Sequence, residues 1–61
     1  MEKLIDYLEC LSPDAKIELV SGGVIFSGYA GEAQNLPYFL LERYDVVGTM
    51  FEGGILAIYI C

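Results

Sequence analysis

Two short runs of this chain alternate apolar and polar residues, two further runs are mainly apolar, and glycine pairs join these four runs two by two. The runs are residues 16–21 and Val24–Tyr29, on either side of Gly22-Gly23, and Val46–Phe51 and Ile55–Ile60, on either side of Gly53-Gly54. Glycine accepts the positive φ that tight hairpin turns require, so each pair marks a turn between antiparallel strands. The pattern predicts two β-hairpins.

Two other segments show the helical spacing of apolar residues. Residues 1–11 place one apolar stripe opposite an acidic one, and Ser12-Pro13 ends this helix because proline lacks an amide donor. Residues 30–35 read as a loop, and Leu36–Tyr44 reads as a second short helix with Pro37 tolerated in its first turn. The apolar stripe of the first helix consists of Leu4, Ile5, Leu8 and Leu11.

The order α-β-β-α-β-β predicts a single small α+β domain over residues 1–61. We expect a four-stranded antiparallel sheet with two helices on one face and with Phe26 and Phe51 in the core. The C-terminal hairpin is apolar or small on both faces, and the run Ile55–Ile60 carries no charge. Two short helices cover only one face, so the sequence predicts a homodimer that covers the other. The candidate oligomer interface is Val46, Met50, Ala57 and Tyr59, on the face opposite Val47, Thr49, Phe51, Leu56, Ile58 and Ile60.

The charge balance is strongly acidic. The chain has three basic residues, Lys3, Lys16 and Arg43, and nine Asp and Glu residues, which gives a net charge of −6. Binding to nucleic acid needs clustered Lys and Arg, and the chain has no such cluster, so we expect no direct contact with DNA or RNA. Two interpretations remain open: the acidic surface keeps an apolar protein in solution, or it meets a basic surface on a protein partner.

Cysteine content and the N-terminus bear on location. Cys10 and Cys61 allow at most one disulfide, and Cys10 on the first helix reads as a small buried apolar residue. The N-terminal MEKLIDYLE is too acidic for a signal peptide, and no apolar segment approaches the ~18 residues of a membrane span. We therefore expect a cytoplasmic protein with no membrane association.

The chain has few of the residue patterns that carry out catalysis or bind metals in proteins. The chain has no histidine, which excludes Ser-His-Asp and Cys-His catalytic sites and every zinc site that uses histidine. Glu2, Asp6 and Glu9 line one side of the first helix, which we interpret as a solvated face and not as a metal site. Neither glycine pair is followed by the residues of a phosphate-binding loop. The sequence predicts a protein that is not an enzyme and that holds no metal or cofactor.

Aromatic residues beside acids suggest a protein-binding surface. Tyr side chains with acidic neighbours are common in protein interfaces, but they also cover the edges of small cores, and the sequence does not decide between the two. The candidate protein-binding residues are Tyr7, Tyr29, Glu32, Tyr38, Phe39 and Glu42.

The segment CLSPDAKIELV, after an amphipathic helix, resembles the start of small uncharacterised phage and prophage accessory proteins. The resemblance covers residues 4–20 and implies a small acidic accessory protein of a mobile element. Three functions follow as expectations. The first is a non-enzymatic inhibitor or adaptor that acts on a host nucleic-acid-handling or defence protein. The second is an oligomer that sequesters a small ligand such as a nucleotide, and the third is a structural or assembly protein of a phage.

Overall fold

The computed structural model describes residues 2–61 as a five-stranded sheet with three short helices packed on one side. The α+β class predicted from the sequence is confirmed, whereas the predicted four antiparallel strands and two helices are wrong in detail. Met1, which the first predicted helix included, lies outside the described residues. The elements are β1 (Glu2–Lys3), α1 (Leu4–Glu9), β2 (Lys16–Val20), β3 (Val24–Tyr29), α2 (Ala30–Ala33), α3 (Tyr38–Arg43), β4 (Asp45–Glu52) and β5 (Ile55–Ile60).

The sheet is mixed, with the strand order β1-β4-β5-β2-β3. Both predicted hairpins form, and β1 pairs with β4 in the antiparallel sense. The two hairpins meet through β2 and β5, which are parallel, with Ile17 opposite Leu56 and Leu19 opposite Ile58. Hairpin turns specify pairing within each hairpin only, so they left this junction undetermined. The connection from β3 to β4 runs through α2 and α3.

Strand β5 lies at the centre of the sheet, and its predicted bounds are confirmed. It forms hydrogen-bonded ladders with β4 on one edge and with β2 on the other. A strand in this position exposes no edge to water, which suits its uncharged sequence, ILAIYI. The most apolar run of the chain therefore occupies the centre of the sheet, where both of its backbone edges are paired.

One core holds the helices to the sheet. Ile17 and Leu19 of β2 and Ile58 and Ile60 of β5 lie on the same face of the sheet and are almost fully buried. The helices cover them with Leu4, Leu8, Ala30, Ala33 and Leu41, and all nine residues form a single cluster. The accessible surface of 3854 Å² agrees with the roughly 3,900 Å² that size scaling gives for a folded chain of this mass.

The chain enters α1 from a short strand, which the sequence pattern did not predict. Glu2 and Lys3 pair with Val46 and Asp45, and the backbone N–H of Leu4 donates to the carbonyl of Tyr44 at 2.9 Å. The Lys3 ammonium also lies 3.7 Å from the Asp45 carboxylate. These contacts with β4 hold the first residues extended, so the helix begins at Leu4 and ends at Glu9.

Helix α2 lies inside the segment that was predicted to be a loop. The N–H of Ala30 donates to the carbonyl of Ala15 at 2.8 Å, and the N–H of Gly31 donates to the carbonyl of Pro13 at 3.0 Å. The Glu32 carboxylate accepts the backbone N–H of Tyr29 at 3.0 Å and so satisfies a donor at the helix start. Contacts with a distant turn stabilise this helix, and such contacts leave no local pattern in the sequence.

Two bulges change which side chains face the helices. Val47 has no partner in β5, so Val46 pairs with Ile60 and packs against the core, while Val47 is 53% exposed. The predicted faces of these two valines were therefore wrong. In the first hairpin, Leu19 pairs with Phe26 and Val20 pairs with Val24, so Ile25 has no partner in β2.

Phe51 and Cys10 were also assigned wrongly from the sequence. Phe51 lies on the helix side of β4 but is 71% exposed, because the helices do not extend over that end of the sheet. Cys10 follows α1 and is exposed, and both it and Cys61 are free thiols. Phe26, predicted to be in the core, is half-buried and packs against it.

The turn between β4 and β5 depends on backbone that only glycine adopts easily. Gly53 and Gly54 have φ values of 61° and 80°, the signature of a type I′ turn. We expect Gly54→Ala to destabilise the fold by about 1–2 kcal/mol, since a Cβ disfavours this left-handed conformation. Urea unfolding followed by circular dichroism measures the change. Gly23→Ala is the matched control, because Gly23 has no positive φ and open space around it, and it should change stability by less than about 0.5 kcal/mol.

The central strand should dominate stability. Ile58 is fully buried, so Ile58→Ala should cost about 2–5 kcal/mol and leave this small domain largely unfolded at 37 °C. Thermal unfolding tests this expectation. Val47→Ala, at the exposed bulge of β4, removes apolar atoms without opening a cavity and should lower the melting temperature far less. Equal losses for the two variants would contradict the assignment of the core.

Candidate protein interaction surfaces

The side of the sheet that faces away from the helices is the first candidate surface, and we call it the open face. It consists of three rows that cross β4, β5, β2 and β3 in that order. The nine buried core residues all lie elsewhere. The rows are Gly48, Tyr59, Val20 and Val24; Met50, Ala57, Glu18 and Ser27; and Glu52, Ile55, Lys16 and Tyr29.

The open face exposes large apolar side chains over most of its extent. Val24 is 58% exposed, Met50 56% and Tyr29 45%, and Tyr59 and Ile55 are only slightly more covered. Three of the four predicted interface residues, Met50, Ala57 and Tyr59, come together here. Val46 does not join them, because the bulge turns it toward the core. The role of these residues in self-association stays a prediction.

A shallow depression lies within the open face. It has a volume of about 320 Å³, and Ala57 and two carboxylates, Glu18 and Glu52, belong to its lining. Met50, Ile55 and Tyr59 complete its lining. The depression thus combines apolar walls with two acidic groups, and the alternation in β2 is the sequence signal that places Glu18 on this face.

The exposed side of α3 is the second candidate surface, and we call it the helix surface. Its residues are Tyr38, Phe39 and Glu42. Leu41 is the buried residue of α3 and fixes which side of the helix faces the core, so Tyr38 is left 64% exposed and Phe39 69% exposed. These three side chains were all predicted to bind a partner.

A groove between α1 and α3 adjoins the helix surface. It has a volume of about 290 Å³, and Tyr38 and Glu9 belong to its lining. The Gln34 side chain also lies in it and donates from Nε2 to the Leu8 carbonyl at 3.0 Å. No local sequence pattern marks Glu9 or Gln34 as part of this surface, because only the packing of α1 against α3 brings them together.

The structure does not bring together the six residues predicted to bind a protein. Tyr29 lies on the open face, whereas Tyr38, Phe39 and Glu42 belong to α3 on the helix side. Tyr7 is half-buried and packs against the core, so it has mainly a structural role. Glu32 is exposed, but its carboxylate caps α2.

Local contacts already engage two of the three basic side chains. Lys3 pairs with Asp45, and the Arg43 guanidinium lies 6.0 Å from the centre of the Tyr44 ring. Lys16 is exposed on the open face. Glu42 on the helix surface and Glu9 in the adjoining groove are both exposed.

Residues 2–61 contain no group of three His, Cys, Asp or Glu side chains arranged to hold a metal ion. Within the same residues, no helix has the length and apolar character to span a membrane. Comparison of the chain with models of protein families, with curated proteins and with solved structures finds no match.

Proposed function

We propose that this protein is a non-enzymatic, acidic protein-binding module of the inhibitor or adaptor type. Its partner is a protein with a basic surface, and the helix surface is its binding site. The observation that carries the proposal is the exposure of Tyr38 and Phe39 on one short helix, beside Glu42, in a chain of net charge −6.

The aromatic pair supports the choice of the helix surface. Aromatic side chains dominate the binding energy of many protein interfaces, because they bury a large area at little cost in conformational entropy. Tyr38 also borders the groove between α1 and α3, which offers a concave site beside the protruding Phe39 ring. A partner side chain in this groove would contact apolar residues and the Glu9 carboxylate.

The charge distribution supports a basic partner. Glu42 and Glu9 are exposed near the aromatic pair, and negative potential accelerates association with a positively charged surface. Proteins that handle nucleic acids present such surfaces to the phosphate backbone. We therefore propose a host nucleic-acid-handling or defence protein as the target, in keeping with the mobile-element context that the N-terminal resemblance implies.

Affinity purification from bacterial lysate tests this function. The tagged protein is bound to beads, washed in rising steps of salt, and the eluted proteins are identified by mass spectrometry. We expect one nucleic-acid-handling or defence protein to elute at moderate salt, because screening weakens contacts between exposed charges. A complex that forms but resists salt would contradict a charge-driven mechanism, and recovery of the protein alone would contradict the function.

A pair of phenylalanine variants tests the binding site. Phe39→Gln should reduce capture of that partner at least about tenfold, since it removes a central aromatic contact. Phe51→Gln is the matched control, because Phe51 is as exposed as Phe39, at 71% against 69%, but lies on β4. Equal losses for both variants, or a loss with Phe51→Gln alone, would rule out the helix surface as the site.

A further inference from the structure

We propose that a second copy of this chain packs against the open face and forms a two-fold dimer. The two-fold axis runs along the strands, between β5 and β2. This inference concerns the side of the sheet away from the helix surface, and it does not depend on the proposed function. It rests on the pattern of side-chain sizes in the rows of the open face, on the positions of the charges and on the area available.

The side-chain sizes of the open face are complementary about this axis. The rotation places β5 of one copy over β2 of the other, and β4 over β3, with the strands of the two sheets aligned as in sheet-on-sheet packing. In the first two rows, three of the four facing positions then pair a large residue with a small one. The facing pairs are Met50 with the partner's Ser27, Glu18 with the partner's Ala57, Val24 with the partner's Gly48, and Tyr59 with the partner's Val20.

The charges of the open face favour the same axis. In the third row, the partner's Lys16 comes over Ile55, beside Glu52 and within reach of Glu18 across the axis. The two Glu18 residues are offset by about one strand spacing, ~4.8 Å. An axis across the strands would instead place Glu18 directly over the partner's Glu18 and Lys16 over the partner's Val20. Stacked carboxylates and an unpaired ammonium disfavour that arrangement.

The size of the molecule sets an upper limit on the contact. It measures 29 by 22 Å along its two longer axes, so one whole side covers at most about 640 Å², or roughly 1,300 Å² for two copies together. Stable protein interfaces bury about 1,200–2,000 Å² in total. A dimer through the open face therefore lies at the small end of that range.

Charged variants at one facing pair test the dimer and its axis together. Met50 and Ser27 lie on β4 and β3, three strand spacings or about 14 Å apart within one chain, so they meet only across the dimer. Met50→Glu and Ser27→Lys should each weaken the dimer at least about a hundredfold, because each buries an unpaired charge. When the two variants are mixed, the glutamate faces the lysine at one of the two contacts, and a heterodimer should form.

Sedimentation equilibrium at micromolar concentration provides the readout. We expect the unmodified chain at about twice its 6.7 kDa mass, each variant near the single mass, and the mixture near twice that mass again. Phe51→Glu is the control, since Phe51 neighbours Met50 on β4 but lies on the helix side, and it should leave the dimer unchanged.

Three outcomes overturn the proposal: a monomeric unmodified chain, Met50→Glu or Ser27→Lys that stays dimeric, or a mixture that does not associate. Should Met50→Glu fail to fold by circular dichroism, Val24→Glu replaces it. Val24 is equally exposed on the open face and faces the partner's Gly48. A folded Val24→Glu variant that remained dimeric would overturn the proposal as well.

Discussion

A single layer of short helices covers only one side of a sheet, and this limit governs the whole molecule. The central strand β5 buries Ile58 and Ile60 under the helices but turns Ala57 and Tyr59 to the open face. Its apolar character on both sides was visible in the sequence as a run without charge. The core of the protein buries the side chains on one side of β5. The side chains on its other side face the solvent or a second molecule.

The helix layer is itself maintained by the sheet. Helices of four to six residues are unstable in isolation, because helix nucleation is costly and propagation over so few residues recovers little. Backbone hydrogen bonds to distant parts of the chain anchor two of them, from Leu4 to Tyr44 and from Ala30 to Ala15. Packing of Leu41 anchors the third, and the same packing exposes Tyr38 and Phe39. The candidate partner-binding site is thus a consequence of how a minimal core is closed.

The sequence predicted those features of the fold that depend only on residues close to one another in the chain. The two turns that contain glycine pairs and the bounds of β3 and β5 follow from the residue period and from turn chemistry. Contacts between distant segments determine three other features, so no local pattern predicts them. These features are the parallel pairing of β2 with β5, the helix α2, and the bulge at Val47. For the candidate sites the division is the same: Met50, Ala57 and Tyr59 follow strand alternation and were grouped correctly, whereas Val46 was displaced by a bulge.

Amide hydrogen exchange, measured by NMR, tests most directly whether β5 is the central strand that joins the two hairpins. Successive amides of β5 point alternately to β4 and β2, so all are hydrogen-bonded, whereas every second amide of the edge strand β3 points away from the sheet. We expect the slowest exchange of the molecule in β5, and exchange that is faster by orders of magnitude at the outward amides of β3. Amides of β5 that exchanged as fast as those of an edge strand would contradict it.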